Sequence, residues 1–154
     1  MQNLERMPFL SACTSARGIF FIALLLLCTN SYAEQVHRFA GHEVHYIVIP
    51  TTFLETDVAA QYKVTRAKNR ALINVAVLDA DNNAVTATIT GSSSNLLGQR
   101  QNFDFRQVQE GAAIYYLAEL LHSDEEMHRL EIQVRLQNGR QDQIKFNQKM
   151  YWAR

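Results

Sequence analysis

Apolar and polar residues alternate with a period of two through most of the chain after residue 34. The clearest case is His128–Gln137, in which every second residue is leucine, isoleucine or valine. This is the pattern of a half-buried β-strand. Asn138-Gly139 follows, a dipeptide typical of a two-residue hairpin turn. The next alternating segment, which extends to Met150, is therefore expected to pair with the first one in antiparallel orientation.

Two segments, Arg70–Asp79 and Ala112–Leu121, are apolar on both faces, as expected for strands at the centre of a sheet. Seven or eight short strands at this spacing predict an all-β fold, an antiparallel immunoglobulin-like β-sandwich. The remaining predicted strands are shorter, and turn residues separate them: Val36–Phe39, His42–Ile49, Val85–Thr90 and a segment containing Phe103 and Phe105.

Three segments do not follow the two-residue alternation. Thr56–Tyr62 has a capping residue, an early acid and alanines, which together predict one short helix. Gly91–Asn95 consists of glycine, serine and asparagine, and this composition predicts a flexible loop. Leu96 and Leu97 follow directly, and we expect them to be buried at the end of the sandwich because leucines of small domains are mostly buried.

The first 33 residues have the organisation of a cleavable signal peptide. A basic residue, Arg17, precedes the apolar run Gly18–Cys28, and a small-x-small triplet ends at Ala33. The run has eleven residues, whereas a membrane-spanning helix needs about 20. We therefore expect cleavage between Ala33 and Glu34 rather than a retained anchor. Lipidation at Cys28 is disfavoured because the preceding residue is a leucine.

Cleavage would leave one β-sandwich domain, residues 34–154, with no transmembrane segment, in the periplasm; translation can start at Met1 or at Met7. Both cysteines lie in the leader, so this domain has no disulfide and its stability must come from packing. The whole chain has 15 basic and 15 acidic residues. Such a balance argues against general binding to nucleic acid or to anionic membranes.

No catalytic arrangement is visible in the sequence. None of the serines stands in a Gly-x-Ser-x-Gly elbow. Three of the four candidate carboxylates for sugar hydrolysis, Asp124, Glu125 and Glu126, belong to one polar turn, where solvated charge is the default; the fourth is Glu119. We expect no enzyme activity and no cofactor. An envelope hydrolase is the weakest of the functions considered.

The five histidines give the alternative of metal or small-ligand handling. His42 and His45 are three residues apart on one strand and so face opposite sides, which prevents them from sharing a metal ion. His122 and His128 flank a turn and can face each other across a hairpin. Neither ligand spacing nor ligand number is diagnostic, so the sequence assigns no metal site.

The segment from Lys63 to Arg70 contains four cations and no acid. In a chain without net charge it predicts either a local positive patch for a partner or an anionic ligand, or a solvated turn. A second candidate loop, Asn95–Arg100, follows the predicted flexible segment. The candidate binding residues are Arg66, Lys68, Asn69, Arg70, Asn95 and Arg100.

The chain resembles a family of exported Gram-negative proteins, domain-of-unknown-function family 4426. The resemblance covers essentially all of residues 34–154. It implies a small periplasmic β-sandwich after a signal peptide, and it implies no reaction, ligand or catalytic residue. The residues that carry it are Thr52–Leu54, Arg66–Val75, Asn95–Gln99 and Tyr115-Tyr116.

These observations favour a non-catalytic binding or assembly accessory for another envelope component, whose identity the sequence does not give. The loops around Arg66 and Asn95 are the expected contact sites. An exposed edge strand offers a second mode of docking, by β-augmentation.

Overall fold

The computed structural model describes residues 35–153, which belong to the compact unit Glu34–Arg154. The predicted signal peptide, residues 1–33, and its cleavage site between Ala33 and Glu34 lie outside the described residues. In the part of the chain that the structure describes, no helix is both long and apolar enough to span a membrane.

The described residues form nine strands in two antiparallel sheets, which confirms the predicted β-sandwich. The first sheet has the spatial order β1-β2-β3-β7-β6, and the second has the order β5-β4-β8-β9. The strands are β1 (Gln35–Phe39), β2 (His42–Pro50), β3 (Arg70–Leu78), β4 (Ala87–Asn95), β5 (Arg100–Phe103), β6 (Arg106–Glu110), β7 (Ala113–Leu121), β8 (Glu126–Leu136) and β9 (Gln141–Met150).

Between β2 and β3 the chain makes a 3-10 turn, Thr51–Phe53, and the short helix α1, Thr56–Gln61, close to the predicted bounds. A small apolar cluster joins Ala59 of α1 to Leu72 of β3 and Leu117 of β7. Both faces of these two central strands are therefore buried, one in the sandwich and one beneath the helix, which explains why they are apolar on both faces.

The core lies between the two sheets. It consists of the side chains that point inward, which come from every second residue along a strand. Ile73, Leu120 and Ile132 are at most 1% exposed. The same holds for Val75 and Val77 of β3 and for Leu130 and Val134 of β8. Burial of one such side chain contributes about 1.5–3 kcal/mol. Burial of apolar side chains is therefore a large source of the described domain's stability, and the sequence after residue 34 contains no cysteine that could form a disulfide.

The prediction of a flexible loop at Gly91–Asn95 is wrong, because these residues complete β4. They pair with β8 on one side, and Gly91–Ser94 also pair with β5 on the other. Gly91 is needed there because a Cβ at this position would lie 2.6 Å from the main-chain oxygen of Glu131. Pairing and packing with distant strands outweigh the weak local β-propensity of glycine and serine.

The number of strands also exceeds the predicted seven or eight. Phe103 and Phe105, which the sequence suggested belong to one strand, stand on either side of a crossing between the two sheets. Phe103 ends β5 in the second sheet, and β6 of the first sheet begins at Arg106. The two rings nevertheless meet edge to face, with centroids 5.9 Å apart.

A candidate binding site at one end of the sandwich

One end of the sandwich gathers all the candidate binding residues predicted from the sequence. At this end β2, β4, β7 and β9 finish while β3, β5 and β8 begin. We call it the loop end and define it by four segments, residues 51–70, 95–100, 121–125 and 151–153. Main-chain hydrogen bonds link the first of these segments to the last two, from the His122 nitrogen to the Asn69 oxygen at 3.1 Å and from the Ala153 nitrogen to the Lys68 oxygen at 3.4 Å.

In the strands that reach the loop end, the side chains that point into the core change there from apolar to polar. These polar residues line a cavity of about 340 Å³, which we call the polar cavity. A larger cavity, about 450 Å³, lies among Thr88, Gln133 and Gln141 and includes none of the sequence-predicted candidates. The residues that continue the core rows into the polar cavity are Asn69, Ser93, Asn95, Gln101, His122 and His128.

Asn95 holds the β4–β5 loop in one conformation. This residue is 5% exposed. Its side-chain nitrogen donates to Gln99 Oε1 at 2.6 Å and to Glu126 Oε1 at 2.7 Å. Its side-chain oxygen accepts from the main-chain nitrogens of Leu97 at 3.1 Å and Gln99 at 2.9 Å. Asn95 was predicted as a contact residue, but its amide is fully occupied in positioning the loop.

The carboxylate of Glu126 anchors this arrangement. Besides the Asn95 amide, it accepts a hydrogen bond from the Ser123 main-chain nitrogen at 2.6 Å, and His128 Nε2 lies 3.0 Å from Oε2. Burial raises the pKa of Glu126, but the hydrogen bonds from Ser123, Asn95 and His128 outweigh burial and lower it to about 2. Glu126 is therefore a charged acceptor at neutral pH.

The expectation that Leu96 and Leu97 are buried is wrong. Leu96 is 68% exposed and Leu97 is 85% exposed. The hydrogen bonds of Asn95 fix the backbone so that both leucines stand outside the sandwich, and the left-handed conformation of Gly98, with φ of +80°, completes the turn. Other large apolar side chains exposed at the loop end are Phe53, Leu121, Tyr151 and Trp152.

Three of the four cations of the basic segment are held by contacts with other residues. Arg70 forms an ion pair with Glu119 at 2.8 Å. Arg66 donates to Thr56 Oγ1 at 2.6 Å and to the Thr52 main-chain oxygen at 3.1 Å. The ammonium of Lys68 lies 4.2 Å from the ring centroid of Trp152. Residues outside the segment thus engage these three cations, which a local charge count does not show.

Three of the six predicted candidates, Asn69, Asn95 and Arg100, line the polar cavity. Arg66, Lys68 and Arg70 lie at the same end but outside its lining. Sequence reasoning missed Ser93 and Gln101 as cavity residues, and it treated Glu126 as solvated charge. The two-residue period was the available signal, because Ser93 and Gln101 each continue the inward-facing positions of their strand.

The histidines of the described chain do not converge on one point. His37 Nε2 lies 2.9 Å from Asp142, and His42 Nδ1 lies 3.0 Å from the Ala40 oxygen. His45 pairs with Glu43 at 3.4 Å on the opposite face of β2 from His42. His122 and His128 both line the polar cavity. In residues 35–153 no group of three or more histidine, cysteine, aspartate or glutamate side chains is placed to hold a metal ion.

Ser93, His128 and Glu126 form a polar chain inside the cavity. Ser93 Oγ lies 3.3 Å from His128 Nδ1, and His128 Nε2 lies 3.0 Å from Glu126. The order of groups is that of a serine hydrolase triad. Ser93, however, is 2% exposed within a strand paired on both sides, whereas a nucleophilic serine sits exposed on a sharp turn.

The family assignment follows from a match over residues 36–153 to the family described as "Domain of unknown function (DUF4426)". The chain belongs to the DUF4426 family. A crystal structure of a DUF4426 family protein from Pseudomonas aeruginosa PAO1 shares 33% identity, with a TM-score of 0.71. The alignment covers 79% of this chain and 97% of that one. No match was found among curated proteins.

More distant DUF4426-like folds occur among solved structures of FetP from a uropathogenic Escherichia coli strain. A copper-bound variant of FetP shares 12% identity, covering 79% of this chain and 97% of that chain, with a TM-score of 0.56. FetP as isolated after recombinant expression in the periplasm shares 11% identity, covering 79% and 96%, with a TM-score of 0.53. At these identities the similarity shows the fold alone.

Proposed function

We propose that this DUF4426 protein is a non-catalytic accessory domain of the periplasm that docks another envelope protein through its loop end. The observation that carries the proposal is the exposure of Leu96 and Leu97 on a loop held by four hydrogen bonds of Asn95. Exposed apolar side chains with a polar surround are typical of protein contact sites. A preorganised loop also loses little conformational entropy on binding.

The charges around the leucines support a protein rather than a membrane as the partner. The loop end carries cations, such as Lys68 and Arg100, and acids, such as Asp124 and Glu125. Mixed charge around an apolar centre matches the polar rim of a protein interface. Binding to an anionic lipid surface instead calls for clustered lysine and arginine. The periplasmic location is supported by the leader composition and by the fold shared with FetP.

Replacing both Leu96 and Leu97 by serine is expected to abolish recovery of the partner in crosslinking-coupled affinity purification. The melting temperature should stay nearly unchanged, because neither side chain is buried. Val36→Ser is the matched control, since Val36 is an exposed apolar residue, 41% exposed, on β1 rather than at the loop end. Full partner recovery with the double variant would contradict the proposal. An equal loss of partner recovery with the Val36→Ser control would also contradict it.

Metal handling through the histidines is the second candidate function. The solved FetP variant is described as copper-bound, and two histidines of this chain share the polar cavity. Equilibrium dialysis against copper and zinc tests this class directly. Failure to bind either ion more tightly than micromolar would exclude it.

An envelope hydrolase is the third and weakest candidate, because the buried Ser93 is not accessible as a nucleophile. We expect that a fluorophosphonate reagent, which labels activated serines, does not label the protein. The readout is the intact mass after incubation, with a known serine hydrolase as the positive control. Labelling that disappears in Ser93→Ala would contradict the non-catalytic assignment.

A further inference from the structure

The outer face of the second sheet is polar where β4 lies beside β8. Along β4, the residues that alternate with the buried Ile89 and Ser93 point away from the first sheet, and all of them are threonine or serine. Between residues 88 and 94 of β4 and between residues 129 and 135 of β8, this face carries no apolar residue. The outward residues of β8 in this stretch are Arg129, Glu131, Gln133 and Arg135.

Two adjoining cavities form a groove on this face. Both are lined by Thr90 and Gln133, which lie opposite each other in the pairing of β4 with β8. The first cavity has a volume of about 450 Å³ and reaches Arg135, and the second has a volume of about 300 Å³ and reaches Asn102 of β5. We call the two together the sheet groove. It follows residues 88–92 of β4, which span about 14 Å, so its length suits an elongated ligand.

The cations in the lining of the sheet groove are engaged within the protein. Arg135 Nη2 donates to Gln141 Oε1 at 3.2 Å. Arg100 Nη2 donates to Ser92 Oγ at 2.8 Å. Among the described residues, these two arginines are the cations that line the groove.

The acids in the lining are engaged in the same way. The carboxylate of Glu131 lies 3.7 Å from the Lys145 ammonium, and Asp142 Oδ2 lies 2.9 Å from His37 Nε2. With two cations and two acids, the described lining carries no net charge. An uncharged ligand is therefore a better electrostatic match to the sheet groove than an anionic or a cationic one.

Four uncharged polar side chains in the lining make no hydrogen bond to another residue among residues 35–153, and all four are exposed to the groove's solvent. Their hydroxyl and amide groups can both donate and accept hydrogen bonds. The hydroxyl groups of a sugar do the same, and an oligosaccharide presents them along its whole length. The four residues are Thr88, Thr90, Asn102 and Gln133.

A protein segment is a poorer match to the sheet groove. Protein interfaces obtain most of their binding energy from a few anchors, enriched in aromatic residues and arginine, that fill well-packed pockets. The large apolar residues in the described lining, Val134 and Phe103, are only 1% and 8% exposed. The groove therefore offers no apolar pocket for such an anchor.

We infer that the sheet groove binds a neutral oligosaccharide through the hydroxyl and amide side chains of β4, β5 and β8. The groove lies on the face of the second sheet, not at the loop end, so the inference goes beyond the docking proposal and does not depend on it. The described lining has no exposed aromatic ring on which a sugar could stack. We therefore expect weak affinity, with a Kd of about 1 mM.

The test is titration of the purified, ¹⁵N-labelled protein with cellohexaose, maltohexaose and chitohexaose, followed by nuclear magnetic resonance. At least one of the three hexasaccharides should bind with a Kd of about 1 mM or below. Binding should shift the side-chain amide signals of Gln133 and Asn102, because these groups contact the sugar.

Two variants test the groove residues directly. Gln133→Ala and Thr90→Val each remove one hydrogen-bonding group and should weaken binding about tenfold. Both side chains are exposed, so the melting temperature should stay nearly unchanged. Asn147→Ala is the matched control, because Asn147 is an exposed amide on the same face but outside the groove lining. It should bind the hexasaccharide like the wild type.

Three results would overturn the inference. The first is the absence of spectral shifts with all three hexasaccharides at about 10 mM. The second is unchanged affinity in both Gln133→Ala and Thr90→Val. The third is binding of dextran sulfate, an anionic polymer, without binding of any neutral hexasaccharide. The Leu96→Ser, Leu97→Ser variant separates this site from the docking proposal, because it should bind the hexasaccharide normally.

Discussion

Replacing Glu126 by glutamine is expected to lower the free energy of unfolding by about 2 kcal/mol at pH 7. The substitution puts an amide NH₂ among groups that already donate, the Asn95 amide and the Ser123 main-chain nitrogen. At least one buried donor then loses its acceptor. The loop that presents Leu96 and Leu97 should loosen at the same time, because Asn95 loses its anchor.

The effect should depend on pH in a defined direction. The pKa of Glu126 is lowered from 4.5 to about 2 in the folded protein. Its stabilisation is therefore complete above about pH 4.5 and is lost as the pH falls through about 2. Denaturant unfolding of the wild type and Glu126→Gln at several pH values should show the difference in stability shrinking over this window.

Glu125→Gln is the matched control for this experiment. Glu125 is the preceding residue in sequence and is largely exposed, with its carboxylate 3.2 Å from the Lys149 ammonium. An exposed pair contributes little, so the control should lose much less stability than Glu126→Gln. Equal losses in the two variants, or a Glu126→Gln difference that does not change with pH, would contradict the role given to Glu126.

The second large effect is expected at Gly91, where alanine should lower the free energy of unfolding by about 3 kcal/mol. The added Cβ would lie 2.6 Å from the Glu131 main-chain oxygen and 3.1 Å from Phe103 Cδ2. The nearer atom is backbone in a paired strand and cannot move without breaking the pairing of β4 with β8. The measurement is denaturant unfolding with unchanged slope.

Gly139→Ala separates this close approach from a general cost of replacing glycine. A Cβ at Gly139 would meet nothing within 4 Å, but φ there is +82°. Its cost should be the left-handed conformation alone, about 1 kcal/mol. A Gly91→Ala variant no less stable than Gly139→Ala would show that β4 and β8 approach each other less closely than described.

The sandwich was predictable because its signal is local. Alternation in His128–Gln137 and the Asn138-Gly139 turn define the β8–β9 hairpin without reference to any other part of the chain. The same holds for Arg70–Asp79, whose apolar faces require burial on both sides. Gly91–Asn95 was mispredicted because it forms a strand by pairing with β5 and β8. The composition of the segment does not reveal these pairing partners.

The site was predictable only in part, for the same physical reason. The sequence pointed to Asn69, Asn95 and Arg100, which line the cavity, but it gave no sign that Asn95 is anchored by Glu126, 31 residues away. It counted Arg70 as free charge, although Glu119 lies 49 residues further along the chain. Such contacts depend on how strands are ordered in the sheets, which periodicity alone does not determine.

Site-specific photocrosslinking in intact cells that make the protein tests the central claim, that the loop end is where another protein docks. A photoreactive residue at Leu97 should give one discrete adduct, identified by mass spectrometry, that is lost when Leu96 is also changed to serine. The same residue at Arg140, in the exposed turn between β8 and β9 at the opposite end, should give none. Adducts at Arg140 but none at Leu97 would contradict the account.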